Sequence, residues 1–348
     1  MKKYLNRMFI INYNPLKINN YPLDKKIIKK LKFISTLIFL LILFLFFMKV
    51  IIQKAIYLNN NFNNAANIKV CLCTIGKKEN LYIKEFIQYY EKIGIDKIFL
   101  YDNNDINDER FEEIIEEYIN KSFVKLFNWR GKKKILIPYL NDCYKRNYKH
   151  FDWLLFYEID EYIHINNYNN IKQFLNNPNF KKCQTINLNW VLHTDNNLIY
   201  YDNRSLHERF PEVQNISKEG AKTRYNYVKS IMKGNIPNIY IYNTHYLSQK
   251  LKSCNGFGKQ YQLVGQNLKK NDFEYYYIDH YYSKSLEEYV SKINKGCSHN
   301  DQSIEYKKSR ILIFFTINKV TIEKINFIEK NVGINLTYIR NIYNISLK

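Results

Sequence analysis

Residues 33–48, FISTLIFLLILFLFFM, form an uncharged apolar run that Val50, Ile51 and Ile52 extend past Lys49. About 20 such residues match the length of a helix that crosses a bilayer. A cleaved leader or a buried helix shares this composition. However, the 32-residue lead in front is too long for a leader's basic region, and no small-residue cleavage site follows. The run is therefore expected to be a membrane anchor over 33–52. Lys2, Lys3, Arg7, Lys17, Lys25, Lys26, Lys29, Lys30 and Lys32 precede it, against only Lys49 and Lys54 at its far end. By the positive-inside rule the N-terminus is cytoplasmic and everything past residue 53 lies across the membrane. That side is a Golgi or ER lumen, or a periplasm in a bacterium. The expected layout is a basic tail (1–32), the anchor (33–52), an Asn-rich stem (53–67, with YLNNNFNNAAN read as a disordered linker), a main folded domain (68–310) and a helical extension (311–348).

Net charge would ordinarily point to nucleic acid: the 348 residues carry +21. Yet Lys, Asn, Ile and Tyr are inflated along the whole chain, which spreads the charge instead of gathering it in a patch. No nucleic-acid partner is expected. The 46% hydrophobic and 16% aromatic content suffices for a large core. Six cysteines (Cys71, Cys73, Cys143, Cys183, Cys254, Cys297) include no C-x-x-C pair, which argues against zinc. In an oxidising lumen some of them can pair; Cys71 and Cys73 read as buried strand thiols. Sequons at Asn120, Asn203, Asn215, Asn335 and Asn344 are weak support for a secretory route in so Asn-rich a chain.

After the stem, strand and helix alternate. Strands are expected at 68–75, 96–105, 123–129 and 153–157, and helices at 79–94, 108–120 and around 138–149. Phe111, Ile114, Ile115 and Tyr118 mark the inward face of the second helix. Such alternation means right-handed crossovers and a mostly parallel sheet flanked by helices, an α/β fold of the Rossmann-like kind. Ligands of these sheets bind beyond the carboxyl ends of the strands. TIGKKEN, YDNND and EIDEY fall at those ends and are expected to meet at one edge.

The last of these segments contains Glu158, Asp160 and Glu161. Three adjacent carboxylates after a buried strand repel one another unless a cation neutralises them. Strand alternation puts Glu158 and Asp160 on one side and Glu161 on the other. An acid pair at this spacing suits a hard divalent ion such as Mn²⁺ or Mg²⁺, which would also hold a diphosphate.

CLCTIGKKENLYIKEFIQYYEKIGIDKIFLYDNND, DWLLFYEIDEYI, YYDNRSLHERFP and IDHYYSKSLEEYVSKINKG, in this order across roughly 68–300, resemble glycosyltransferase family 92 and its family 2-like relatives. The resemblance implies a GT-A fold, a nucleotide-sugar donor (UDP-sugar first), a glycan acceptor, a divalent metal and an inverting transfer, with galactose as the leading sugar. Position by position it puts Thr74 and Glu79 where the first loop meets the nucleotide, Asp102 at the base or ribose, and Asp160 as the last acid of a D-x-D element. Glu158 stands where that element has its first Asp, which puts direct metal coordination by Glu158 in question.

An inverting transfer needs a base for the acceptor hydroxyl. Asp195, in a loop after the apolar strand 185–192, is the first candidate and Glu208 the second. His245, after a β-rich run at 239–243, is a candidate metal ligand, and His280 and Lys229 are candidate phosphate contacts. Trp190 can stack on a sugar or fill the core. A glycoside hydrolase needs its two acids apart across a substrate, which adjacent acids do not provide. The competing reading is a membrane-tethered carbohydrate-binding module of the same fold without catalysis. The tail segment 316–333 is expected to be one helix packed on the domain, with no catalytic role.

Overall fold

In the computed structural model, residues 25–214, 227–248, 250–260, 275–296 and 303–344 are described. Most of the basic tail, Asn215 and Cys297 lie outside them. The chain divides into two compact units, residues 1–60 and 61–348.

Helix α1, Lys25–Ala66, contains the expected anchor segment: Lys29–Gln53 is long and apolar enough to cross a membrane, and its side chains are exposed. The expected linker at 57–67 is instead helical to Ala66. Once a long apolar helix has nucleated, each further residue adds a hydrogen bond at little cost, even for Asn.

The second unit is built on one nine-stranded sheet in the order β3-β2-β1-β4-β7-β6-β9-β5, with β8 beside β6. Its first half follows the expectation. β1 (Val70–Gly76), β2 (Lys97–Asp102), β3 (Val124–Asn128) and β4 (Trp153–Phe156) pair in parallel. They are joined by α2 (Asn80–Lys92), α3 (Phe111–Asn120) and α4 (Leu136–Asn147). Gly76 pairs with Asp102 and Asp102 with Asn128, so the strand ends align. On α3, Phe111, Ile115 and Tyr118 are buried, while Ile114 faces outward.

The second half is mixed, not parallel. β5 (Glu161–Ile165) runs antiparallel to β9 (Tyr276–His280). β6 (Thr185–Leu192) runs antiparallel to β7 (Val228–Lys233) and parallel to β9 and to β8 (Ser253–Cys254). No strand forms at 239–243 beyond an isolated bridge between Asn243 and Leu247. There Asn141 replaces a ladder: its Nδ2 donates to the Ile241 carbonyl at 2.7 Å and its Oδ1 accepts from the Ile241 N–H at 2.9 Å. Ile241 is thereby buried under α4 without a partner strand.

Two core layers sandwich the sheet. One, under α2 and α3, centres on Phe86, Tyr90 and Phe111; the other, under α4, on Cys73, Leu140 and Phe156. Disulfides join Cys73 to Cys143, from β1 to α4, and Cys183 to Cys254; Cys71 is a free buried thiol. Cys73 thus departs from the expected buried thiol. Strand spacing cannot reveal that α4 lays Cys143 over it.

Two short helices, α5 (Ile171–Leu175) and α6 (Leu206–Arg209), precede the helical end of the chain. That end comprises α7 (Leu286–Lys295), α8 (Ile304–Ile317), α9 (Ile322–Val332) and α10 (Thr337–Ile342). The tail is not one helix over 316–333. Asn318 is extended, and Thr321 caps a new helix by accepting the Lys324 N–H at 3.2 Å. α9 buries Ile325 and Ile328 and packs on α7.

Candidate active site

The carboxyl edge of β3-β2-β1-β4 opens on a cavity of about 330 Å³. The end of β1 supplies Gly76, Lys77 and Glu79, that of β2 Asn103 and Asp105, and that of β3 Lys132 and Lys133. The turn after β4 brings Glu158 and Asp160, and α7 and α8 close the side with Lys292, Lys295, Tyr306 and Arg310. The three segments expected to meet at this edge do so. Gly76 makes the closure feasible: a Cβ there would stand 2.4 Å from Ile159 Cδ1 and 2.7 Å from Phe111 Cζ.

Each of the three acids after β4 has a cation. Lys229, on β7 and almost fully buried, puts its Nζ 2.6 Å from Glu158 Oε1 and 3.3 Å from Glu161 Oε1. Glu161 folds under the turn, accepting the Glu158 N–H at 2.9 Å. Burial pushes the Glu161 carboxyl well above its usual range despite Lys229. Asp160 accepts from Lys292 Nζ at 3.1 Å, and its Oδ1 is 3.6 Å from His280 Nε2, beyond hydrogen-bond reach. Burial acts to raise the Asp160 carboxyl, but Lys292 and His280 outweigh it and hold it well below the ordinary value. Burial likewise works to raise Glu158, and Lys229 overcomes it and lowers that carboxyl. Both cavity acids are therefore ionised at neutral pH.

The histidines flank this cluster without lining the cavity. His280 is buried with its ring 4.2 Å from that of Trp190, and its Nδ1 has no hydrogen-bond partner. Burial pushes its imidazole below the usual pKa, against the pull of Asp160. His245 lies 3.3 Å from the Val228 carbonyl through Nδ1 and packs against Tyr227 and Trp190. Burial, and then Lys229, push it down to about 4, so it is neutral. Among the described residues no three His, Cys, Asp or Glu side chains converge as a cage for a metal. What the site offers is smaller: an ionised Asp160 and a neutral His280 whose facing atoms make no bond to each other, with Glu158 on the same turn.

Other expected site residues are placed as follows. Glu79 lines the cavity and pairs with Lys284 at 3.1 Å and Lys295 at 3.6 Å. Thr74 is fully buried on β1, short of the cavity, with an unpartnered hydroxyl. Asp102 is buried, accepts the Asn104 N–H at 2.8 Å and pairs with Arg130 at 3.1 Å, which ties the ends of β2 and β3. Neither expected base reaches the cavity. Asp195 is buried against Lys324 of α9 at 2.5 Å, and its own N–H donates to Asn318 Oδ1 at 2.6 Å. Glu208 is exposed and closes a capping box on α6, accepting from the Ser205 N–H at 3.0 Å and hydroxyl at 2.8 Å. The Ser-x-x-Glu spacing is a sequence signature of that cap.

Lys292, Lys295 and Arg310 are cavity residues that sequence reasoning passed over. The two lysines stand three apart in the last turn of α7, hence on one face. In a chain with 53 Lys and Arg residues that spacing has no contrast.

An acid pair with lysines beside it lies at the carboxyl edge of parallel strands, the place where α/β proteins of this kind bind their ligands. The glycosyltransferase family 92 profile matches residues 66–313, and the chain belongs to that family. The α/β fold expected of the family is the one observed. Curated glycosyltransferase family 92 proteins match in part. One from Ricinus communis is 28% identical over 98 residues, 28% of this chain and 17% of its own. One from Oryza sativa subsp. japonica is 26% identical over 113 residues, 32% of this chain and 19% of its own. The matched stretches thus span less than a fifth of these relatives' length. Among solved structures, S. aureus TarS 1–349 matches at 14% identity over 71% of each chain, with a TM-score of 0.34. Its complex with UDP-GlcNAc matches at 14% identity over 76% of this chain and 82% of that one, with a TM-score of 0.29.

Proposed function

We propose that this chain is a membrane-anchored glycosyltransferase that moves a sugar, galactose first, from a UDP-sugar to a glycan with inversion at C1. The observation that carries the reading is the cavity at the strand ends, where Asp160 and Glu158 face Lys292 and Lys295. In the transfer, the bond from C1 to the diphosphate oxygen breaks and its electron pair leaves with the diphosphate. The acceptor oxygen bonds to C1 from the opposite face and loses its proton to a carboxylate. Asp195 and Glu208 are engaged elsewhere, so the base is assigned among the cavity carboxylates Glu79, Asp105 and Glu158. Lys292 and Lys295 stand where charge develops on the leaving group, in a partly enclosed site where such contacts are strong.

Mn²⁺ or Mg²⁺ fits this donor set in the manner of nucleotide sites, where one or two protein ligands suffice because the phosphates supply the rest. Asp160 and His280 would hold it, with Glu158 next to them. When bound, it would supply positive charge against the departing diphosphate. Thr74, Asp102, Lys229 and His245 then shape and neutralise the surroundings of the donor without touching it.

The two disulfides support a domain that matures in an oxidising compartment, lumenal or periplasmic, with the N-terminus in the cytoplasm. The test is a donor screen of the full-length protein in detergent with several nucleotide sugars and Mn²⁺, reading release of nucleoside diphosphate. Release from a UDP-sugar, increased by a glycan acceptor, is the expected result. Binding without turnover of any donor would favour the carbohydrate-binding module instead.

A further inference from the structure

Among the half-buried cations on the cavity wall, Arg310 stands apart; Lys132 and Lys133, which also line it, are exposed. Lys77 pairs with Asp105 at 2.9 Å, Lys292 with Asp160 at 3.1 Å and Lys295 with Glu79 at 3.6 Å, so much of their charge is already met. Arg310, on α8, lines the same cavity, yet among the described residues its guanidinium has no carboxylate within 4.0 Å. Its Nε is buried without a hydrogen-bond partner. Its guanidinium carbon lies 5.1 Å from the ring centre of Tyr282 and 5.8 Å from that of Tyr306, within cation–π range. A buried N–H without an acceptor is costly unless a ligand completes it.

We propose that Arg310 is a catalytic residue that grips the leaving diphosphate through its guanidinium fork. The proposal rests on the nucleotide-sugar reading and deepens it by naming the group that takes the departing charge. A planar fork matches two phosphate oxygens as an ammonium cannot, and a guanidinium stays charged at every working pH. Its position on α8 has a consequence for the fold. The α8 segment after the family's D-x-D region becomes part of the donor site, not a support behind it. As C1 separates from the diphosphate, negative charge grows on the phosphate oxygens, and Arg310 meets it with N–H donors that have no competing acid.

The experiment is isothermal titration of the full-length protein in detergent with UDP, uridine and inorganic pyrophosphate. Arg310→Gln removes the charge and the fork and keeps some polarity. It should weaken UDP and pyrophosphate at least 10-fold and leave uridine within twofold, with the melting temperature unchanged. Arg310→Lys keeps the charge without the fork and should recover part of the loss. Should Arg310→Gln fail to fold, Arg310→Lys carries the test, with about 3- to 10-fold weaker UDP binding expected. UDP and pyrophosphate affinities that stay within twofold in the folded variant overturn the proposal, as does an equal loss for uridine. Wild-type protein that binds neither anion also overturns it. Pyrophosphate binding that depends on Arg310, with no nucleoside diphosphate bound, upholds the anion grip and removes the nucleotide-sugar reading.

Discussion

Asp160 is the residue whose charge the site is arranged around. Lys292 and His280 both turn to it, and it lines the cavity from a two-sided turn that β4 and β5 hold in place. Asp160→Asn preserves shape but leaves Lys292 without its counter-charge. Because Lys292 is 31% exposed, water screens the loss and the fold should survive. Turnover should fall by roughly 10²–10³, the scale of one preorganised electrostatic contact. The measurement is Mn²⁺-dependent diphosphate release; wild-type turnover in this variant would remove the acid pair from the chemistry. Asp195 makes the opposite case. It has an acid's chemistry in a loop where the sequence invites a base, yet its carboxylate is spent on Lys324. Lys324→Met should destabilise the domain by about 3–5 kcal/mol, because it strands a buried carboxylate. Asp195→Asn should keep turnover within a few-fold in whatever fraction folds. A thousandfold loss with the melting temperature intact would return Asp195 to the role of base.

At the scale of elements, α7 joins the cavity to the rest of the domain. Its C-terminal turn carries Lys292 and Lys295, while its first turn carries Glu288, which closes the capping box with Ser285. Glu288 also receives Arg209 of α6 at 2.7 Å and the Tyr82 hydroxyl of α2. Burial would raise the Glu288 carboxyl, but Arg209, Ser285 and Tyr82 overcome it and lower it. A carboxyl depressed in the folded state binds fewer protons there than in the unfolded chain. Its stabilisation is complete above the unfolded value, about 4.3, and is lost as pH falls from there through the folded value. Melting temperature should therefore drop steeply below about pH 4. Glu288→Gln should lower stability at pH 7 and flatten part of that acid slope. An unchanged slope would mean that other carboxylates govern acid unfolding. The tail shows the same logic. α9 lies past the family match, which ends at residue 313, yet Lys324, and Asn318 just before it, tie down the loop after β6.

For the whole molecule, the exposed apolar face of α1 constrains handling and topology alike. Over Lys29–Gln53, rows of Phe, Leu and Ile are exposed among the described residues, a surface far too apolar for water. The lysine imbalance across it predicts that the domain after residue 60 is protected from protease in sealed microsomes and cut when detergent opens them. Digestion in the sealed vesicles would reverse the orientation. Two disulfides, each closing a loop of about 70 residues, agree with an oxidising side.

Local pattern was enough for much of this. The long apolar helix, the first four strands and their helices, and the convergence of TIGKKEN, YDNND and EIDEY follow from hydrophobic period and the rule for parallel sheets. Both are short-range properties written residue by residue. The place of Asp160 at that edge was legible in the same way, from its position just after a buried strand. Long-range pairing decided the rest. Only the folded chain brings Lys229 from 71 residues away to Glu158, or Lys292 from 132 residues away to Asp160, and so shows which lysine each cavity acid meets. Only the fold shows Asp195 closed by a helix over a hundred residues later, Cys73 bonded to Cys143, and Arg310 with its buried Nε unpartnered. In a chain where lysine is everywhere, composition cannot tell which cations have a partner. That depends on distances in space, and tertiary packing sets them.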